Sequence, residues 1–254
     1  MIRLEGVHKA FGTNRVLRGL DLEVREGETL TIIGGSGTGK SVTLKIMVGL
    51  LKPEEGRVFV DNEVITGMDE EALAVVQRKF GFLFQSAALF DSLTVAENVL
   101  FGVRNLKPEE MGRGDEIVTR CLGVVGLKPE VAVLKPAELS GGMKKRVGLA
   151  RAIAHQPEYI LYDEPTTGLD PIMSDVINDL IVDIREKLKI TSIVVTHDMK
   201  SAYKISNRIA MVHEGRLVAV GTPEEIQSSG NPLVHQFITG SSQGPIQMPV
   251  RSYT

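Results

Sequence analysis

The chain has 254 residues and a single cysteine, Cys121. One thiol excludes an intramolecular disulfide framework and any zinc cluster built on cysteines. No stretch reaches the roughly 18 consecutive apolar residues of a membrane-spanning helix. Charge of one sign is not in excess either. Lys and Arg number 29 against 32 Asp and Glu, a formal net charge of −3, so the chain as a whole does not attract polyanions. The start, Met1-Ile2-Arg3-Leu4-Glu5, brings an early acid and no apolar core, unlike a secretory signal. These absences lead us to expect a soluble cytosolic protein. What is present is ordinary for a globular chain: 43% hydrophobic, 24% charged and 5% aromatic residues. A chain of this length buries enough apolar surface to fold without staples.

The N-terminal third reads as strands. Residues 2–8 and 20–25 alternate apolar and polar side chains, and Thr29-Leu30-Thr31-Ile32-Ile33, after the Arg25-Glu26-Gly27-Glu28 turn, reads as a buried strand. Arg57–Val60 and Glu63–Ile65 flank Asp61-Asn62, a hairpin signal, and Glu214-Gly215 gives a second one within 208–221. Residues 92–130 favour several helices, broken near Lys107-Pro108 and Lys128-Pro129. A buried strand at 159–162, a helix at about 172–189 and a buried strand at 191–196 imply a parallel sheet covered on both faces. From Gly240 onward the chain is rich in Gly, Ser and Pro, and is expected to be irregular or disordered.

Gly34-Gly35-Ser36-Gly37-Thr38-Gly39-Lys40-Ser41 fits the phosphate-binding pattern G-x-x-x-x-G-K-[ST], between a buried strand and a helix. A Gly-rich turn is the plainer reading, but the full match in this context favours phosphate. Main-chain N–H groups and the helix N-terminus would face phosphate oxygens. Lys40 would reach the β- and γ-phosphates, and Ser41 would ligate Mg²⁺. The motif alone fits kinases, GTPases, motors and transporters. A second strand, Tyr159–Tyr162, ends in Asp163 and Glu164. Alone, such a pair is a helix cap. With Lys40 in the same chain, Asp163 is assigned to hydrated Mg²⁺ and Glu164 to polarising the attacking water. His197 ends the strand at 191–196, where ligands of parallel sheets sit, and is placed to touch the γ-phosphate. His8, His155, His213 and His235 have no such placement.

Leu139-Ser140-Gly141-Gly142-Met143 opens a helix with Ser140 as natural N-cap. With the earlier motifs, this segment resembles the signature of the ATP-binding-cassette (ABC) ATPases. Phe11 is similar to the family's adenine-stacking aromatic, Gln85 to its Q-loop glutamine, Gly168-Leu169-Asp170 to its D-loop and His197 to its switch histidine. The resemblance covers about residues 2–230. It implies an α/β fold: a RecA-like P-loop core, an N-terminal antiparallel β-subdomain and a helical subdomain inserted at about 88–156. The whole would be one domain over 1–240, with a flexible or partner-docking tail at 241–254.

The resemblance also implies ATP and Mg²⁺ as cofactors. ATP contacts fall to Phe11, Val16, Gly34, Gly35, Ser36, Gly37, Thr38, Gly39, Lys40, Ser41, Val42, Thr43 and Asp170. Metal contacts fall to Ser41, Gln85 and Asp163, and catalysis to Lys40, Gln85, Glu164 and His197. It further implies a homodimer in which Ser140, Gly141 and Gly142 act on the partner's ATP. Two departures are Met143 for the usual Gln and Val42 for the usual Thr. With Gly39–Leu44, Phe84–Phe90 and Leu139–Arg146, they resemble the ATPase subunit of MCE-associated lipid transporters. That likeness implies phospholipid movement between inner and outer membranes, a multi-span permease, an MCE protein, a small regulatory subunit and a seat on the cytoplasmic face of the inner membrane.

A small-solute importer of amino-acid type is the alternative within transport. A soluble ABC protein of ribosomes or chromosomes fits less well: there is one cassette, only a short interval between Lys40 and Leu139, and no basic footprint for nucleic acid. A module using ATP only as structural ligand is disfavoured by Glu164 and His197. Three surfaces stay open. Ala87, Ala88, Leu89, Phe90, Leu93 and Val95 either form an apolar groove for a permease helix, centred on Leu89 and Phe90, or pack a local core. Lys144, Lys145, Arg146 and Arg151 read as a solvated helix face, with anionic head groups or nucleotide as the other reading. Ile246, Met248, Val250 and Tyr253 either grip a partner subunit or are disordered.

Overall fold

A computed structural model describes residues 1–103 and 113–247. Strands β1 (Ile2–Phe11), β2 (Asn14–Val24), β4 (Glu55–Val60) and β5 (Glu63–Val64) form an antiparallel sheet in the order β2-β1-β4-β5. Asp61 and Asn62 both adopt positive φ, 50° and 68°, as a two-residue hairpin turn demands. The second sheet runs β10-β9-β3-β8-β7-β6. Its members are β3 (Thr29–Ile33), β6 (Phe80–Leu83), β7 (Tyr159–Asp163), β8 (Thr191–Val195), β9 (Arg208–His213) and β10 (Arg216–Gly221). All neighbours pair in parallel except β10 with β9. β3 and β8 are buried at every position, their hydroxyl residues Thr29, Thr31, Thr191 and Ser192 included, as suits strands covered on both faces.

The sheet is covered by helices whose starts are written in the sequence. α1 (Lys40–Met47) leaves the glycine-rich loop, and α2 (Glu70–Gln77) is capped by Asp69. Between β6 and β7 lie α3 (Val95–Phe101), α4 (Gly114–Val124), short 3₁₀ turns and α5 (Gly141–Ile153). Thr94 and Glu97 form a capping box on α3, and Ser140 caps α5. α6 (Pro171–Leu188) starts from Asp170, whose carboxylate accepts from the N–H groups of Ile172 and Met173. α7 (Met199–Ile205), α8 (Pro223–Gln227) and α9 (Pro232–Thr239) complete the described helices. One core joins the antiparallel sheet, α1 and one face of the parallel sheet. A second joins α3–α6 to the other face, and a third lies under α7–α9.

Several expectations change here. β1 and β2 are longer than their alternating stretches, and strand β6 with helices α2, α7, α8 and α9 is additional. The break at Lys107-Pro108 lies outside the described residues, as do Met248, Val250 and Tyr253. Residues 241–247 hold no helix or strand, yet they are fastened. The Gln236 side chain donates to Ser241 O and Ile246 O and accepts from Ile246 N, and Ile246 packs on the third core.

One polar hub ties the two sheets together. Asp61, at the hairpin turn, accepts from Lys79 Nζ at 2.6 Å, from the Tyr159 hydroxyl and from the Met1 amine at 3.0 Å. Burial alone would raise the Asp61 carboxyl, but these donors outweigh it and hold its pKa down to about 2. A carboxyl depressed on folding stabilises the protein above its ordinary pKa, and this stability is lost as pH falls from about 4 towards 2. Asp61→Asn is therefore expected to lower the melting temperature at pH 7, by about 2–4 °C for each kcal/mol lost. The same variant should flatten the acid limb of stability between pH 4 and 2, as read by thermal unfolding across pH.

Candidate active site

The parallel register places three strand ends in one row. Ile32 of β3 lies beside Val195 of β8, and Val195 lies beside Asp163 of β7. The loop 34–39, the pair Asp163-Glu164 and the segment Thr196-His197 therefore leave the sheet at its carboxyl edge, where open α/β sheets bind ligands.

The loop is shaped by its glycines and its lysine. Gly34 has φ +152°, and a Cβ there would lie 2.2 Å from Val212 O. Lys40 Nζ donates to Gly34 O at 2.8 Å and Gly35 O at 2.9 Å, holding the curl. Thr38 Oγ1 donates to Gly35 O, and Thr43 Oγ1 to Gly39 O. Thr43 is fully buried and turned to that carbonyl, whereas Val42 packs at the edge of the first core. Ser36 and Gly37 are exposed at the loop tip. Val16 is half-buried against Gly39, and Phe11 is half exposed at the end of the same hairpin, with Lys9 Nζ 5.4 Å from its ring centre.

Across the loop, Ser41 Oγ donates to Asp163 Oδ1 at 2.9 Å. A hydroxyl and a carboxylate set together form a hard-oxygen pair suited to Mg²⁺. Burial pushes the Lys40 ammonium below the ordinary lysine value, and the nearby Glu164 and Asp163 carboxylates oppose that push. His197 Nδ1 lies 2.9 Å from the Glu164 carboxylate, and Thr167 Oγ1 donates to it at 3.2 Å. The Glu164 side chain is largely buried while most of His197 faces outward. Glu164 itself sits at φ +51°, an uncommon region for a residue with a side chain. Its N–H donates to Val195 O, which fixes this turn to β8.

The remaining expected site residues lie apart from this group. No hydrogen bond joins Ser140, Gly141 or Gly142 to the loop 34–41 among the described residues. Ser140 and Gly141 are exposed at the start of α5. Gly142 is buried against Met173 of α6, where a Cβ would come within 2.6 Å of that side chain. Asp170 is exposed, and its carboxylate is engaged as the cap of α6. Gln85 is exposed, and its main-chain carbonyl accepts from Lys145 Nζ.

That last contact overturns the reading of a solvated basic face. Lys145 and Arg151 are only 5% and 9% exposed. α5 packs against β6 on one side and α3 and α4 on the other, so these cations are enclosed. They are satisfied by main-chain oxygens: Lys145 by Gln85 O and Glu164 O, Arg151 by Ala87 O and Ala88 O. The sequence carries no signal for this, because the acceptors are backbone atoms.

The expected apolar groove also changes composition. Val95 is fully buried, Ala87 nearly so, and Leu89 packs on the second core. Phe90 is exposed and lies tilted against Phe101, with ring centres 4.3 Å apart, while Phe82 and Phe84 stack at 4.2 Å. Together with Ala88 and parts of α2 they line a groove of about 620 Å³.

A phosphate loop, a strand-end acid pair and a histidine around one sheet edge, with an antiparallel sheet beside it and a helical layer above, define a nucleoside-triphosphatase of the ATP-binding-cassette class. The sequence pattern of the ABC transporter family matches residues 17–167, more than half of the chain, and the chain belongs to that family. It is an ABC transporter ATPase and binds ATP. The chloroplast protein trigalactosyldiacylglycerol 3 of Arabidopsis thaliana is 43% identical over 97% of this chain and 76% of its own length. The intermembrane phospholipid transport system ATP-binding protein MlaF of Haemophilus influenzae is 39% identical over 100% of this chain and 96% of its own. Relatives of similar identity are named for ribonucleotide and for osmolyte transport. Among solved structures, the dimeric cassette MJ0796 with ADP and Pi is 35% identical, with TM-score 0.77 over 88% of this chain and 99% of its own.

The loop geometry separates two neighbouring glycines. Gly34→Ala forces a positive φ and a backbone clash, and is expected to lower both melting temperature and affinity for a fluorescent ATP analogue. At Gly35 a Cβ meets nothing closer than 3.7 Å, so Gly35→Ala should melt as the wild type does. Equal behaviour of the two variants would contradict the loop geometry.

Proposed function

We propose that this chain is the energy-coupling subunit of a phospholipid transporter, working as a homodimer on the cytoplasmic face of the inner membrane. The observation that carries the hydrolytic part is the 2.9 Å contact of His197 with the inward-facing Glu164, beside Lys40 and Ser41. ATP lies with its phosphates on the 34–43 loop and its adenine against Phe11 and Val16. Lys40 leaves its carbonyl partners for the β- and γ-phosphates. Glu164 takes a proton from the attacking water, and His197 orients that carboxylate and contacts the γ-phosphate. Ser41 and Asp163 would hold Mg²⁺, with Gln85 as a further contact, and the ion would supply positive charge towards the phosphate oxygens.

The exposed start of α5 supplies the partner's site. Ser140, Gly141 and Gly142 offer a helix N-terminus to the γ-phosphate of the second copy, with Asp170 at the seam. The dimeric state of the related cassette MJ0796 supports this arrangement. The Phe84–Ala88–Phe90–Phe101 groove takes a short amphipathic helix of the permease. No described helix is long and apolar enough to cross a membrane, so the chain reaches the bilayer through that partner. Phospholipid as cargo rests on the likeness to MlaF and trigalactosyldiacylglycerol 3, and an MCE protein and a small regulatory subunit complete the proposed assembly. The relatives named for osmolyte and ribonucleotide transport favour a small-solute importer as the second reading.

Glu164→Gln should retain ATP binding, cut hydrolysis by about 10²–10⁴-fold, and accumulate an ATP-bound dimer on size exclusion. A wild-type turnover rate in that variant would sink the assignment of the base. Affinity purification from detergent-solubilised membranes decides the cargo class. Recovery of a permease with an MCE protein supports the lipid reading, and recovery of a different permease with a solute-binding protein supports the importer. Phe90→Asp should reduce permease recovery severalfold in the same assay.

A further inference from the structure

The basic helix α5 contains a lysine that the proposed mechanism does not use. Lys145 is 5% exposed, and its ammonium donates to two main-chain oxygens, Gln85 O and, at 3.2 Å, Glu164 O. No direct ion pair to Lys145 occurs among the described residues. A buried ammonium without full hydration is costly unless its protons are engaged. Here they engage the peptide of the proposed base, Glu164, and the peptide of Gln85, the further metal contact expected from the sequence.

Glu164 and the segment that follows Gln85 both need holding: Glu164 adopts φ +51°, and Ala87 and Ala88 adopt φ +60° and +45°. Such conformations cost on the order of 1–3 kcal/mol each and persist only where surrounding contacts fix them. Glu164 N is fixed by Val195 O, and Lys145 fixes the other end of the residue. Ala87 O and Ala88 O are fixed by Arg151, two turns further along α5. One rigid helix thus carries Ser140 at its start, grips the 85–88 segment at two points, and touches Glu164.

We propose that Lys145 is a positioning residue for hydrolysis: by bonding both carbonyls it sets the Glu164 carboxylate and Gln85 in register with α5. The inference rests on Glu164 acting as the base and adds a group that never touches ATP. It predicts a defect in turnover rather than in binding, because the phosphate loop lies on other elements.

The test uses the full-length chain with Lys145→Met, which keeps length and removes the donors, and Lys145→Gln, whose amide offers two N–H donors. Steady-state kcat and KM for ATP, affinity for a fluorescent ATP analogue and melting temperature are read for each. Lys145→Met is expected to lower kcat about 10- to 100-fold with KM within twofold, and Lys145→Gln to recover part of the loss. A wild-type kcat in Lys145→Met overturns the proposal, as does a Gln variant no better than Met. If the Met variant binds no ATP, Lys145→Leu takes its place: lowered kcat at unchanged KM supports the role, and unchanged kcat overturns it. Glu164→Gln is measured alongside. If it is slow while Lys145→Met is fast, only the positioning role fails. If it turns over at the wild-type rate, both readings fail.

Discussion

The parallel pairing of β3, β8 and β7 is the constraint on which the site depends. Three strands buried on both faces are locked in register from two sides, because a one-residue slip would exchange the faces of every side chain. Ile32, Val195 and Asp163 stand in one row as a consequence. The glycine-rich loop, the acid pair and His197 then emerge together without any contact among themselves being needed to bring them there. The Ser41–Asp163 and Glu164–His197 contacts refine a juxtaposition that the apolar cores have already made.

That juxtaposition crowds two carboxylates at a strand end, and the structure answers with two enclosed lysines. Lys40 stands on the loop side, Lys145 on the helix side. Burial lowers both ammonium groups while the fields of Glu164 and Asp163 hold their protons in place. The two differ in where they can go. Lys40 is tied to carbonyls of the glycine-rich loop, which in the proposed function it exchanges for phosphate oxygens. Lys145 is tied to the peptides of Gln85 and of Glu164, the latter at positive φ, on two separate elements.

Legibility followed the range of the interaction. The phosphate loop, the buried strands and the Asp61-Asn62 and Glu214-Gly215 turns are local patterns, and each has its expected conformation. β6 escaped notice because four residues with a glycine among them have too little pattern to declare a strand. Lys145 and Arg151 were misjudged for a different reason. A charged residue on a helix is ordinarily solvated, and only the packing of α5 between β6 and the other helices encloses these two. Leu89 and Val95 show the same limit in reverse, since an apolar residue after the loop fits a groove or a core equally well until its neighbours are known. Within the tail, residues 241–247 hold no helix or strand, but Gln236 fastens them through a side chain ten residues away from Ile246.

The division of labour within the chain bears on what specifies its cargo. In the proposed function the hydrolytic groups and the start of α5 deal only with a nucleotide and a second copy, and they would serve any transporter of the family. The aromatic groove is the part whose details can differ. It is built by Phe82 and Phe84 on one side of the loop and by Phe90 and Phe101 on the other. The loop between them is gripped by Lys145 and Arg151. A partner pressing on these rings would therefore act on the 85–88 segment and, through α5, on Glu164. On this reading the permease selects the cargo, and the groove transmits whether hydrolysis is worth completing.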